Sequence, residues 1–165
     1  MILLLYHDRR SLADVASLKG ALEDCYGPFG LKVQEKGYLY VPFKGPQLNA
    51  ARLLKHFCRA SDALGTKKAL WLVDRELFYP EIGRVLGCSA ENEALLYAGL
   101  EPEALAKEGL HEVGHLMGLE HCRQSCVMHL SDSPSKARQK PSLLCQECSA
   151  RLRAFSDDGV FKLRE

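Results

Sequence analysis

Long apolar runs are missing from this chain. No stretch approaches the roughly 20 residues that a membrane-crossing helix needs, so no membrane partner is expected. The apolar start, residues 2–6, is also too short for a secretory leader. No basic residue precedes it, and Asp8, Arg9 and Arg10 follow it directly, so it reads as a buried strand and a cytoplasmic address is expected. An excess of charge is missing too: 22 Lys and Arg stand against 21 Asp and Glu, a net charge of +1. That balance argues against a broad footprint on nucleic acid. No internal repeat is found. With 47% hydrophobic residues the chain can bury a core of its own, and 165 residues suit a single domain, expected to act as a monomer.

The local patterns alternate in type. Residues 2–6 predict a strand. Ser11 with Asp14 resembles a helix-capping pair, and Leu12, Val15, Leu18 and Leu22 form one helical stripe that Gly27-Pro28 ends. Residues 31–35 and 38–43 predict two strands parted by Lys36-Gly37. Asn49 caps a second helix carrying Ala50, Leu53, Leu54 and Phe57, and residues 69–73 (ALWLV) predict a buried strand. This order implies an α/β (α+β) fold with helices packed on a mixed sheet. Residues 82–99 predict a hairpin or irregular edge strand, with Glu91 and Glu93 at a solvated tip. Glu101-Pro102 opens a third helix. Residues 131–142, rich in Ser, Pro, Lys and Arg, predict an exposed loop, and residues 145–155 a closing helix.

The third helix carries the chemistry. It contains His111-Glu112-Val113-Gly114-His115-Leu116-Met117-Gly118-Leu119-Glu120-His121. Residues four apart on a helix share a face, so His111 and His115 project together, along with Ala104 and Glu108. Ala106, Leu110, Val113 and Met117 form an apolar stripe opposite. A continued helix would turn His121 about 240° from His115, out of reach of the same ion. Gly118 supplies the necessary break, because glycine takes the left-handed conformation that ends helices and turns the chain back. Three neutral imidazoles leave a fourth tetrahedral position for water, the pattern of a catalytic zinc. Glu112, beside the first ligand, is the expected general base. His7, His56 and His129 read as surface or satisfied core residues.

Seven cysteines are present. Cys25, Cys58 and Cys88 are scattered and read as buried small hydrophobes. Cys122, Cys126, Cys145 and Cys148 form two close pairs. In a chain without an export signal such pairs point to metal before disulfide, and four thiolates close a tetrahedron, so a second, structural zinc is expected. Cys122 directly follows His121, which implies that the second zinc fixes the chain leaving the third helix.

HExxHxxGxxH with a nearby Met resembles the metzincin clan of metallopeptidases. The immediate Cys122, then Cys126-Val127-Met128 and Cys145-x2-Cys148, resembles the archaemetzincins in particular. The resemblance implies a single metalloprotease domain over 1–165. Its N-terminal lobe would run to about residue 118 and a small irregular C-terminal lobe from about 119, ending in a helix. It implies a twisted, mostly parallel sheet over two helices, an active-site helix, and Met128 in a tight turn beneath the metal. It also implies a peptide or protein substrate lying in the cleft against an antiparallel edge strand within residues 87–98. The chain departs from the family in two gaps, Cys122 to Cys126 and Met128 to Cys145, each one residue short. Leu130 stands where some metzincins carry a ligating Tyr.

Peptide-bond hydrolysis is therefore the leading expectation, with two zinc ions as cofactors. A non-catalytic, zinc-stabilised interaction module is one alternative. A three-histidine zinc ribonuclease is another, disfavoured because such enzymes carry Gly where this chain has Glu112.

Overall fold

Alternating side chains on the central strands build two cores, one on each face of a sheet. The computed structural model describes residues 1–8, 14–63 and 65–157. The elements run β1 (Ile2–His7), α1 (Val15–Tyr26), β2 (Lys32–Tyr38), β3 (Gln47–Asn49), α2 (Ala50–Ala60), β4 (Lys67–Val73), β5 (Glu76–Tyr79), β6 (Gly83–Val85), β7 (Gly87–Ser89), β8 (Glu93–Tyr97), α3 (Pro102–Leu116), α4 (Pro134–Gln139) and α5 (Gln146–Asp157). The main sheet has the order β2-β1-β4-β8-β7, and a small sheet has the order β3-β5-β6. β1, β2, β4 and β8 are mutually parallel, and β7 closes the sheet as an antiparallel edge.

Leu3, Leu5, Leu70, Leu72 and Leu96 point to the face covered by α1 and α3. Leu4, Tyr6, Trp71, Val73 and Leu95 point to the face covered by α2 and the small sheet. Parallel strands buried on both faces read as continuous apolar runs, which is why ILLLY and ALWLV lack alternation. Each fully buried Leu contributes about 1.5–3 kcal/mol by leaving water. Among the described residues no helix is long and apolar enough to cross a membrane.

Several expectations need correction. Ser11 and Leu12 lie outside the described residues; Asp14 itself caps α1, accepting from the Ser17 N–H at 2.9 Å. One strand, β2, replaces the two predicted on either side of Lys36-Gly37. Gly37 takes a φ of +80° at a register shift against β1, so the strand passes through the glycine instead of ending there. Residues 39–43 form no strand, and β3 was not predicted. The loop predicted over 131–142 contains α4. Ser133 caps it by accepting from the Lys136 N–H at 3.4 Å, Pro134 opens it, and Ala137 buries its inner face. Cys58 is exposed on the outer side of α2, while Cys25 and Cys88 are half-buried. Glu91 is solvated as expected, but Glu93 is buried and accepts from Ser61 Oγ at 3.0 Å.

Candidate metal centres

Pro102 in the first turn starts α3, and Gly118, with φ +92°, stops it. The Gly118 N–H donates to His115 O and the Leu119 N–H to Gly114 O, both at 2.9 Å. These are the paired bonds of a glycine-terminated helix, and they reverse the chain. The reversal brings Leu119 O within 2.8 Å of His115 Nδ1, and Val127 O lies 3.1 Å from His111 Nδ1. A carbonyl can only accept, so both Nδ1 atoms carry the proton and both Nε2 lone pairs face inward. Those Nε2 atoms lie 3.0 Å apart.

The reversal also delivers His121. Its ring centroid lies 5.3 Å from that of His111 and 4.8 Å from that of His115. One nitrogen from each of the three rings falls within a 4.8 Å cluster. His111 is buried, His115 half-buried and His121 exposed, so the cluster opens to solvent on the His121 side. Burial first, then the positive charge of Lys140, holds His111 down to about 3. Burial likewise lowers His115. Both rings are therefore offered as neutral donors at ordinary pH.

Glu112 is buried on the adjacent side of the helix. An added Cβ at Gly87 of β7 would stand 2.6 Å from its Oε1, while Oε2 has no hydrogen-bond partner. Burial, then the neighbouring Glu108, pushes this carboxyl up to about 8, against the pull of Lys140. A nearby dication acts in the opposite sense and favours the carboxylate. One turn earlier, Glu108 is also buried and pairs with Lys140 at 2.6 Å. The face read as the helix's histidine side is thus as dry as its apolar side.

Met128 lies fully buried under α3 in a turn closed by the His129 N–H on Cys126 O at 3.0 Å. A Cβ on Gly114 would overlap its sulfur, so Gly114 is what lets the turn approach the helix. Tyr26 of α1 supports the same place, its hydroxyl donating to Leu110 O at 2.6 Å. Gly87, Gly114 and Tyr26 were not picked out from sequence. Only the contact in space distinguishes them from ordinary turn and core residues.

Cys122, Cys126, Cys145 and Cys148 converge as a second cluster, and none forms a disulfide. Cys122 Sγ and Cys145 Sγ lie 3.7 Å apart. Two sulfurs each about 2.3 Å from a tetrahedral zinc would stand about 3.8 Å apart. Backbone N–H groups of Gln124, Cys145 and Cys148 point at Sγ of Cys122, Cys126 and Cys145 at 3.4, 3.3 and 3.5 Å, the environment that suits thiolates. By the same test the 3.0 Å between the two imidazole nitrogens lies near the ~3.3 Å expected for ligands of one zinc. Both donor sets fit the metal.

Together these features define a class: a mixed α/β chain with a three-histidine helix site and a four-cysteine cluster packed against it. Residues 69–154, more than half of the chain, match Peptidase family M54. An archaemetzincin of Archaeoglobus fulgidus is 43% identical over 51 residues, covering 31% of this chain and 32% of that one. One of Aeropyrum pernix is 36% identical over 96 residues, 52% of each. The match thus spans about a third to a half of the length of these curated relatives. The crystal structure of archaemetzincin from Methanopyrus kandleri superposes with a TM-score of 0.80 at 24% identity, covering 93% of this chain and 94% of that one. The chain belongs to peptidase family M54.

Proposed function

We propose that the chain is a zinc-dependent peptidase. His111, His115 and His121 hold the catalytic zinc, and Cys122, Cys126, Cys145 and Cys148 hold a structural one. The observation that carries this reading is the convergence of three imidazole nitrogens beside a buried, half-unpartnered carboxylate. When bound, the catalytic zinc supplies a Lewis acid for the scissile carbonyl and lowers the pKa of a bound water towards neutrality.

Glu112 takes the proton from the attacking water and later returns it to the leaving amine, so a single residue serves as base and then acid. The peptide lies along β7, the antiparallel strand at the end of the sheet. An extended substrate extends the sheet there through main-chain hydrogen bonds, and the close approach of Gly87 to the Glu112 carboxyl sets this edge beside the proposed base.

The test is a peptide-library digest read by mass spectrometry on wild type and Glu112→Ala, with zinc per chain measured on the same samples. The variant is expected to keep about two zinc ions and to lose at least ~100-fold in turnover. Equal turnover in the two proteins removes Glu112 from the mechanism.

A further inference from the structure

We propose that Lys140, through its pair with Glu108, is a positioning residue for the three-histidine site: it clamps the turn carrying Val127 and Met128 onto α3. The inference rests on the zinc reading above for the identity of the metal.

Lys140 follows α4 and is held there by its N–H on Lys136 O at 3.2 Å. Its ammonium reaches Glu108 Oε1 at 2.6 Å and also donates to His129 O at 3.3 Å. The two charged side chains are 4% and 3% exposed, so water does not share these contacts. His129 closes the turn on Cys126, and within that turn Val127 O accepts from His111 Nδ1. The connections form a closed ring. They leave α3 at Glu108, pass through Lys140, His129 and Val127, and return to α3 at His111, one turn further on.

The ring matters because His111 takes its tautomer and ring angle from the Val127 carbonyl. A turn free to lift from the helix would leave Nδ1 without its acceptor and the Nε2 lone pair without a fixed direction. A buried ion pair is also a poor way to gain stability. The desolvation cost of two charges commonly equals or exceeds their attraction, and apolar residues of similar volume do as well or better. The pair therefore sits where geometric definition is wanted and stability is not its chief product.

The discriminating variant removes both charges and keeps the volume: Glu108→Gln with Lys140→Met. Zinc is titrated against a chelator of known affinity, and a His121→Ala sample assigns which of the two sites each step reports. The double variant is expected to melt at or above the wild-type temperature. It should bind zinc at the histidines 10- to 100-fold more weakly, with the four-cysteine site unchanged. Turnover should fall mainly in kcat, with KM within about twofold. A folded double variant with wild-type affinity at the histidine site overturns the proposal. Should the double variant fail to fold, Glu108→Gln alone decides, because the amide keeps the shape and removes the charge that holds the Lys140 ammonium against α3. At least threefold weaker zinc at the histidines is expected for it, and unchanged affinity overturns the proposal equally. A wild-type protein that binds no zinc at the histidines overturns the functional reading itself, before any variant is compared.

Discussion

Gly118 and Gly87 each do something no side chain permits, and for different reasons. At Gly118 the constraint is backbone: φ is +92°, and an L-residue with a Cβ loses about 1–2 kcal/mol there. Gly118→Ala is expected to lower the melting temperature by several degrees and to weaken zinc at the histidines, because Leu119 O and His121 both depend on the reversal. Gly118→Asn should do less harm, since Asn tolerates the left-handed region better. Thermal unfolding with and without zinc ranks the two. At Gly87 the constraint is space, since a methyl group would press on the Glu112 carboxylate from 2.6 Å. Gly87→Ala should leave zinc content and melting temperature near wild type and cut kcat by 10-fold or more, since misplacing a catalytic group by about 1 Å can cost ~100-fold. An alanine variant with normal kcat would place the base elsewhere. Gly118 was legible in sequence because helix geometry alone demands a break between His115 and His121. Gly87 was not, because its neighbour is 25 positions away and only the sheet brings them together.

At the scale of the element, α3 sets the pH behaviour of the metal-free protein. His111 falls from 6.5 unfolded to about 3 folded, so between those values the unfolded chain binds a proton that the native one does not, and stability rises with pH. Glu112 rises from 4.5 to about 8, so between those values the native chain holds the extra proton and stability falls with pH. Those two slopes cancel between about 4.5 and 6.5, and His115, also lowered by burial, adds a further rise with pH up to 6.5. Chelator-treated protein should therefore show its highest melting temperature near pH 6.5 and a decline on either side. Glu112→Gln should flatten the decline above 6.5. A melting temperature that climbs steadily from pH 5 to 8 in chelated wild type would refute the assignment. Helices α1, α2, α3 and α5 and the strands β1 and β4 were legible because their patterns are local and lie on single elements. The short strands β3, β6 and β7, at three residues each, carry no period of their own and are made by pairing. The helix α4 hid among Ser, Pro, Lys and Arg because it buries little besides Ala137 on its single inner face.

Across the whole molecule, main-chain hydrogen bonds tie the two clusters to one segment. Cys122 follows His121 without a spacer, and its N–H donates to Met128 O at 2.9 Å. Val127, whose carbonyl orients His111, donates its own N–H to Leu143 O at 2.9 Å, two residues before Cys145. The four-cysteine site thus grips both ends of the segment that supplies the third histidine and the acceptor for the first. Replacing Cys145 and Cys148 by Ser leaves two thiolates, too few to close a structural zinc. The segment from Leu119 to Leu143 then loses its anchor on α5 while α3 and the sheet keep theirs. Zinc per chain should fall from about two towards less than one, because the histidine site weakens along with the lost one. The residual histidine-site affinity, read by chelator competition, should drop by at least ~10-fold, the usual cost of losing the groups that orient a ligand. If instead one zinc remains bound with wild-type affinity, the two sites are neighbours without coupling, and the cysteine cluster serves the C-terminal segment alone.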